Sequence, residues 1–251
     1  MNSISVVCLT KNSERYLSQV LKAIEAVNEV IIYDTGSVDR TLSIAASFPN
    51  VTTHAGTLDG GFGATRNRAA TLAAHEWILA LDSDEIPSRM LIDEILHMTL
   101  NSSCVYSFPR HNYYRGKLIR GCGWYPDRVL RLYNRKHTQF SNAHVHEAVI
   151  TQNMQIVPLQ GHVTHTPYNS IHDFLAKMQH YSTLYANDHA GKKNATTATA
   201  ITHALFAFVK SYFLKRGILL GSQGFEISLY NGMSAFYKYL KLRDILIVDK
   251  M

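Results

Sequence analysis

Cysteine is scarce: the 251 residues hold three, Cys8, Cys104 and Cys122. An odd number without C-x-x-C spacing excludes a disulfide framework or a zinc-thiolate site and fits a reducing compartment, the cytoplasm. Charge is also sparse, at 18% of residues against 46% hydrophobic, which excludes a disordered polyelectrolyte and a coiled coil. Long apolar runs are missing. The longest near the end, Ala204 to Val209, is far short of the ~20 residues that cross a bilayer. The opening run Ile4 to Leu9 is short, lacks a basic leader and passes straight into Thr10-Lys11-Asn12, so no secretory signal is expected. With no repeats or low-complexity linkers, the length suits one large α/β domain, or a compact domain with a C-terminal extension.

Acidic residues are thin in the second part of the chain. The formal net charge is +6, yet residues 1–100 carry 7 Lys/Arg against 12 Asp/Glu, and residues 101–251 carry 18 against 7. An anionic partner is therefore expected to face the second part. There, Leu205–Arg216 mixes Phe206, Phe208, Tyr212, Phe213 and Leu214 with Lys210, Lys215 and Arg216. Such a segment is either a core helix with a basic edge or a helix lying on an anionic membrane surface, and the surrounding charge favours the membrane.

The first hundred residues alternate strand and helix signals. Apolar runs at Ile4–Leu9, Val30–Tyr33 and Trp77–Leu81 read as strands, with Val51–His54 as a short one between them. Helices are expected after a Ser13 cap, over Val38–Ser47 with Ser37 as cap and Asp39 in the first turn, from the Gly60–Gly63 cluster to about Ala74, and after Pro87. Near-continuous apolar strands alternating with helices imply a parallel sheet covered on both faces. Residues 104–166 read as β segments at Val105–Phe108, Lys117–Arg120, Arg128–Tyr133, Val145–Ile150 and Ile156–Leu159, and the chain turns helical from Ser170.

Three carboxylates fall at strand ends. Asp82 and Asp84 are two residues apart after Trp77–Leu81, so in extended backbone both point to one side. Such a pair raises one pKa or recruits a hard cation, Mg²⁺ or Mn²⁺, alongside substrate phosphates; as an alternative, Asp82-Ser83-Asp84-Glu85 is a solvated acidic turn. Asp34 ends a second strand before Thr35-Gly36-Ser37, where a carboxylate could accept the imide N–H of uracil. Arg66 follows the glycine cluster, where its planar fork could meet a diphosphate. The glycine spacing matches neither the dinucleotide nor the P-loop fingerprint.

Together these segments resemble family 2 glycosyltransferases of the GT-A fold: Ser5–Glu14, Tyr33–Thr41, Arg66-Asn67 and Leu81–Glu85, in that order. Later segments, Pro109-Arg110, Gly121–Arg128, Arg131–Arg135, Val145-His146-Glu147, Lys210–Gly217 and Lys238–Lys241, are similar to the lipopolysaccharide core β-1,4-glucosyltransferase and lipooligosaccharide glucosyltransferase branch. The resemblance implies an α/β fold with a mainly parallel mixed sheet and a helical extension. It divides the chain into a catalytic region, 1–169, with a nucleotide-binding half, 1–100, and an acceptor and metal half, 101–169, followed by helices over 170–251.

The same resemblance implies roles. Thr10, Asn12 and Asp34 line a uridine pocket; Arg66 approaches the sugar or diphosphate; Asp82 and Asp84 hold the metal–diphosphate; and His165 completes the site for Mg²⁺ or Mn²⁺. Inversion needs a base on the acceptor hydroxyl. Glu147 is expected to serve, with Asp127 as runner-up because Arg128 and Arg131 could pair with it and lower its pKa. Arg110, Arg115, Lys117, Arg120, Arg128, Arg131 and Arg135 would line a cationic acceptor groove. One departure from the branch is Leu220, where Asp is frequent. The implied reaction moves glucose from UDP-glucose to a heptose of a lipid-anchored core oligosaccharide at the inner face of the inner membrane. Two other classes weigh less. A sugar-phosphate nucleotidyltransferase expects a glycine-rich start in place of Thr10-Lys11-Asn12. A nucleic-acid-binding module is disfavoured by the acidic strand ends, so no nucleic-acid partner is expected.

Overall fold

The computed structural model describes residues 1–141 and 147–248. The chain divides into two compact units, the first made of residues 1–111 and 127–165, the second of residues 112–126 and those from 166 onward. Segment 112–126 groups with the helices.

In the first unit, β1 (Ile4–Thr10), β2 (Glu29–Asp34), β3 (Val51–Ala55) and β4 (Trp77–Asp82) pair in parallel in the order β3-β2-β1-β4. Their side chains alternate between two cores. Val6 and Cys8 of β1 pack with Leu17, Val20 and Leu21 of α1 (Leu17–Ala23) and with Leu91, Ile92 and Ile95 of α4 (Arg89–His97). Val7 turns the other way, with Ile31 and Ile78, against Ala69 and Ala70 at the end of α3 (Gly61–Thr71) and Ala73 just after it. Burial on both faces is why β1, β2 and β4 read as near-unbroken apolar runs, whereas the edge strand β3 is partly exposed, and it makes the sheet the expected helix-covered α/β layer. Helix α2 is shorter than expected, Thr41–Ala45. Asp39 accepts hydrogen bonds from the Thr41 N–H at 3.0 Å and the Glu14 N–H at 3.1 Å, which holds residues 37–40 as a loop.

Beyond β4 the sheet becomes mixed. β8 (Arg128–Asn134) runs antiparallel to β4, and β6 (Cys104–Tyr114) antiparallel to β8. β9 (Gln155–Pro158) pairs parallel with β6, and β10 (Val163–Tyr168) antiparallel with β5 (Glu85–Pro87). Of the expected strand Val145–Ile150, residues 145 and 146 lie outside the described residues, and Val149 makes an isolated bridge to Phe140.

The second unit packs β7 (Lys117–Leu118), paired with Tyr113-Tyr114, and helices α5 (Ile171–His189), α6 (Thr197–Val209) and α7 (Ser222–Val248). Ser170 and Asp173 form a reciprocal capping box at the start of α5. A π-helical turn, Lys210–Leu214, and a 3-10 turn, Gly217–Leu220, link α6 to α7. Tyr114, Ile119, Cys122, Phe174, Leu220 and Ile227 form this unit's core, so Leu220 is a packing residue. Among the described residues no helix is long and apolar enough to cross a membrane.

Candidate active site

Strand register assembles the site. In the parallel sheet Thr10 lies opposite Asp34 and Leu9 opposite Asp82, so the carboxyl ends of β1, β2 and β4 share one edge, where ligands of open α/β sheets bind. In β8, Leu132 faces Leu79, so Arg131 lies one step further toward that edge. β10 sets His165 opposite Glu85, beside the β4–β5 turn.

The two loops at β1 and β2 are tied together by the residues expected to meet a nucleotide. Asp34 Oδ1 accepts from Thr10 Oγ1 at 2.8 Å and Ser37 Oγ at 2.5 Å, and Oδ2 from the Gly36 N–H at 3.1 Å and the Ser37 N–H at 2.8 Å. Burial alone would raise the Asp34 pKa, but the bonds from Ser37, Thr10 and Gly36 outweigh it and hold the carboxyl below its usual range. Four donors fill the acceptor capacity of the carboxylate. Here Asp34 shapes the turn, and a uracil imide would have to displace one donor. Gly36, at φ +100, allows that turn. Asn12 links the loops, its Oδ1 accepting from the Val38 N–H at 2.9 Å and its N–H donating to Ser37 Oγ at 2.9 Å.

At the end of β4 the charges are packed tightly. Asp82 is bridged by Arg66 Nη2 and, at 2.9 Å, by Arg131 Nη2. Arg66 is 2% exposed and Arg131 9%; both lie over the Phe140 ring. Burial would raise the Asp82 pKa, but the Arg131 and Arg66 charges overwhelm it and hold the carboxyl far below its usual range. Arg66 Nε and Nη1 and Arg131 Nη1 are buried and have no hydrogen-bond partner among the described residues. Glu147 Oε1 stands 3.7 Å from Arg66 Nε, held there by the Phe140–Val149 bridge and the Ser141 N–H bond to the Ala148 carbonyl at 2.8 Å.

Two expectations are corrected here. The strand ends at Asp82 and residues 83–84 form a turn, so the extended-backbone spacing does not apply. Asp82 is neutralised by two guanidinium groups, and a cation placed between it and Asp84 would face them. Asp84 pairs with His165 instead, Oδ2 to Nε2 at 3.5 Å. Among the described residues no group of three or more His, Cys, Asp or Glu forms a metal cage. A carboxylate and an imidazole at that separation nevertheless suit a divalent ion that takes its other ligands from phosphate and water.

The match to known proteins follows this layout. The glycosyl transferase family 2 model matches residues 5–155, from β1 through the Asp82 cluster and Glu147 to the start of β9. The chain belongs to glycosyl transferase family 2. An uncharacterised glycosyltransferase of Rickettsia typhi is 27% identical over 98% of this chain and 88% of its own. The lipopolysaccharide core biosynthesis glycosyltransferase LpsC of Rhizobium meliloti is 22% identical over 96% of this chain and 91% of its own. Among solved structures, Staphylococcus aureus TarS 1–349 in complex with UDP-GlcNAc aligns over 99% of this chain and 92% of that one, at a TM-score of 0.49 and 15% identity.

In this family 2 transferase the runner-up base is held by an arginine other than those expected. Asp127 Oδ2 bonds Arg110 Nε at 2.8 Å. Arg128 turns away, its Nη2 donating to the Ser107 and Leu159 carbonyls at 2.9 Å each. It braces β8 against its neighbours, so its expected substrate contact gives way to a backbone one. Other arginines and lysines expected at the acceptor have partners within their own unit. Arg115 pairs with Glu226 and Lys117 donates to the Leu220 carbonyl in the second unit, while Arg135 donates to the Ala73 and His75 carbonyls in the first.

Glu85 has no expected role, yet it is fully buried. It accepts from the Asp82 N–H at 3.1 Å and from Arg110 Nη1 at 3.2 Å. Burial and the Asp82 charge push its pKa up, against Arg131 and Arg110. Arg110 thereby joins Glu85 to Asp127. Its only signal in the sequence was adjacency to Asp82-Ser83-Asp84.

Proposed function

We propose that this family 2 glycosyltransferase transfers a hexose, glucose from UDP-glucose, with inversion to a heptose of the lipopolysaccharide or lipooligosaccharide inner core. The observation that carries the reading is the pair of buried guanidinium groups, Arg66 and Arg131, with three nitrogens that find no hydrogen-bond acceptor among the described residues, at the carboxyl end of a parallel sheet. An anionic donor supplies the acceptors those groups lack. The likeness to LpsC supports the core-oligosaccharide acceptor, and the residue resemblance supports the UDP-sugar donor.

In this mechanism the Thr10, Asn12 and Asp34 loops cradle the uridine, and Arg66 and Arg131 face the diphosphate or the sugar. Asp82 holds both arginines in place. Asp84 and His165 would hold Mg²⁺ or Mn²⁺, which when bound supplies Lewis-acid stabilisation of the leaving diphosphate. Glu147 takes the proton of the acceptor hydroxyl. That oxygen bonds to the anomeric carbon from one face as the bond to the diphosphate oxygen breaks on the other, and UDP departs with the electron pair. Asp127, whose Oδ2 accepts from Arg110 Nε at 2.8 Å, is the runner-up for that role. The enzyme would work at the cytoplasmic face of the inner membrane on a lipid-anchored acceptor.

The test is hydrolysis and transfer with a panel of UDP-sugars, with Mg²⁺ or Mn²⁺ and with chelator. UDP release from UDP-glucose, stimulated by metal and by deacylated core oligosaccharide ending in heptose, is expected. Preferential turnover of another UDP-sugar or glycan acceptor would reassign the substrate, and no binding of any UDP-sugar would overturn the reading.

A further inference from the structure

Helix α6 is packed the wrong way round for a protein surrounded by water. Ala200 is its only buried residue. Gly232 of α7 approaches so closely that a Cβ there would lie 3.2 Å from the Ala204 carbonyl and 3.4 Å from Phe208 Cβ. The side that packs is thus the stripe 200, 204, 208. The large aliphatic side chains are on the other: Ile201, Leu205 and Val209, spaced by four, are 46%, 62% and 45% exposed, with Phe206 beside them at 61%. In the turns that follow, Phe213, Leu214 and Leu219 are exposed as well, the last to 75%. Contiguous apolar surface on this scale marks an interaction site.

Charge identifies the occupant. From His189 to Phe225 the chain has no Asp or Glu, while Lys192, Lys193, Lys210, Lys215 and Arg216 supply five positive charges. Lys210, Lys215 and Arg216 are exposed at the end of the apolar face. A two-fold contact between copies would bring these like charges together. A bilayer bearing anionic headgroups satisfies both features, because side chains enter the acyl boundary while the cations stay among phosphates.

We infer that α6 and the two turns after it are a monotopic membrane-docking surface, with the Ile201–Val209 stripe and the Phe213, Leu214 and Leu219 turns seated in an anionic lipid leaflet. The inference deepens the proposed function and rests on it for its purpose, delivery to a lipid-anchored acceptor, whereas lipid binding is measurable alone.

Co-sedimentation of the full chain with vesicles of phosphatidylethanolamine and about one-third phosphatidylglycerol is expected, with at least tenfold weaker partition onto phosphatidylcholine. Leu205→Ser with Leu219→Ser should lower partition at least tenfold, and Lys210→Gln, Lys215→Gln and Arg216→Gln together should lower it similarly and remove its salt dependence. Both variants should keep wild-type UDP-sugar hydrolysis in lipid-free buffer. That arm reports on the enzymatic reading alone, so its failure is distinguishable from failure of docking. Three results overturn the inference: no sedimentation of the wild type with anionic vesicles, unchanged partition of both variants, or a lipid-free dimer, seen by light scattering, that the double serine variant abolishes.

Discussion

Replacing Asp82 by Asn removes the one negative charge bridging two buried guanidinium groups. Arg66 and Arg131 are left to Glu147, which lies 3.7 Å from Arg66 Nε, and to the field of Glu85. Breaking a buried ion pair from one side costs about 3–5 kcal/mol. The Asp82 side chain keeps 31% of its surface in solvent, so screening places the expected loss near the lower end, about 3 kcal/mol. For a chain of this length that is a fall in Tm of roughly 6–12 °C. Differential scanning calorimetry at neutral pH measures it, and Arg131→Met in the Asp82→Asn background should recover at least half, because one surplus positive charge leaves with it. pH supplies a second readout. The folded-state pKa of Asp82 is depressed, so its contribution is fully present above the unfolded value of about 3.9 and is lost as pH falls toward the folded one. The gap between wild type and Asp82→Asn should be constant from neutral pH down to about pH 5 and should narrow below pH 4. A variant melting within about 2 °C of wild type, or a gap unchanged at pH 3, would refute the view that this carboxylate is held ionised by its two arginines.

Glu147→Gln should lower kcat by about 10²–10⁴-fold with little change in KM for the donor, whereas Asp127→Asn should stay within about tenfold, as steady-state UDP release will show. Asp34→Ala strips four hydrogen bonds from the turn that joins β2 to α2; a loss of about 3 kcal/mol in urea unfolding and a tenfold or greater rise in donor KM are expected. Gly63→Ala would gain about 1 kcal/mol as an ordinary helix substitution, but its Cβ would sit 2.0 Å from the Ser141 carbonyl. It should therefore lower Tm and depress activity through the segment that carries Glu147.

The sequence by itself determined the layering of the first unit. Runs such as Ile4–Leu9 and Trp77–Leu81, flanked by helices with 3.6-residue periodicity, have few ways to bury both faces other than a parallel sheet between helices. It also placed Asp34 and Asp82 at strand ends, because where an apolar run stops is a local property. Partners are a different matter. Glu85 and Arg110 lie 25 residues apart, and no periodicity links them; only the pairing of β5 with β10 and the run of β6 bring that carboxylate into a buried arginine network. Asp82 and Asp84 looked equivalent by spacing, but the strand ends between them, so one carboxylate falls among arginines and the other beside a histidine. The same limit governs α6. Its composition allowed a core helix or a membrane helix, with only the surrounding charge to favour the second, since periodicity describes one helix's faces without saying which face its neighbours take. The close approach of Gly232 to Ala204 and Phe208 decided which face packs on α7, as tertiary packing is settled by which surfaces approach closely.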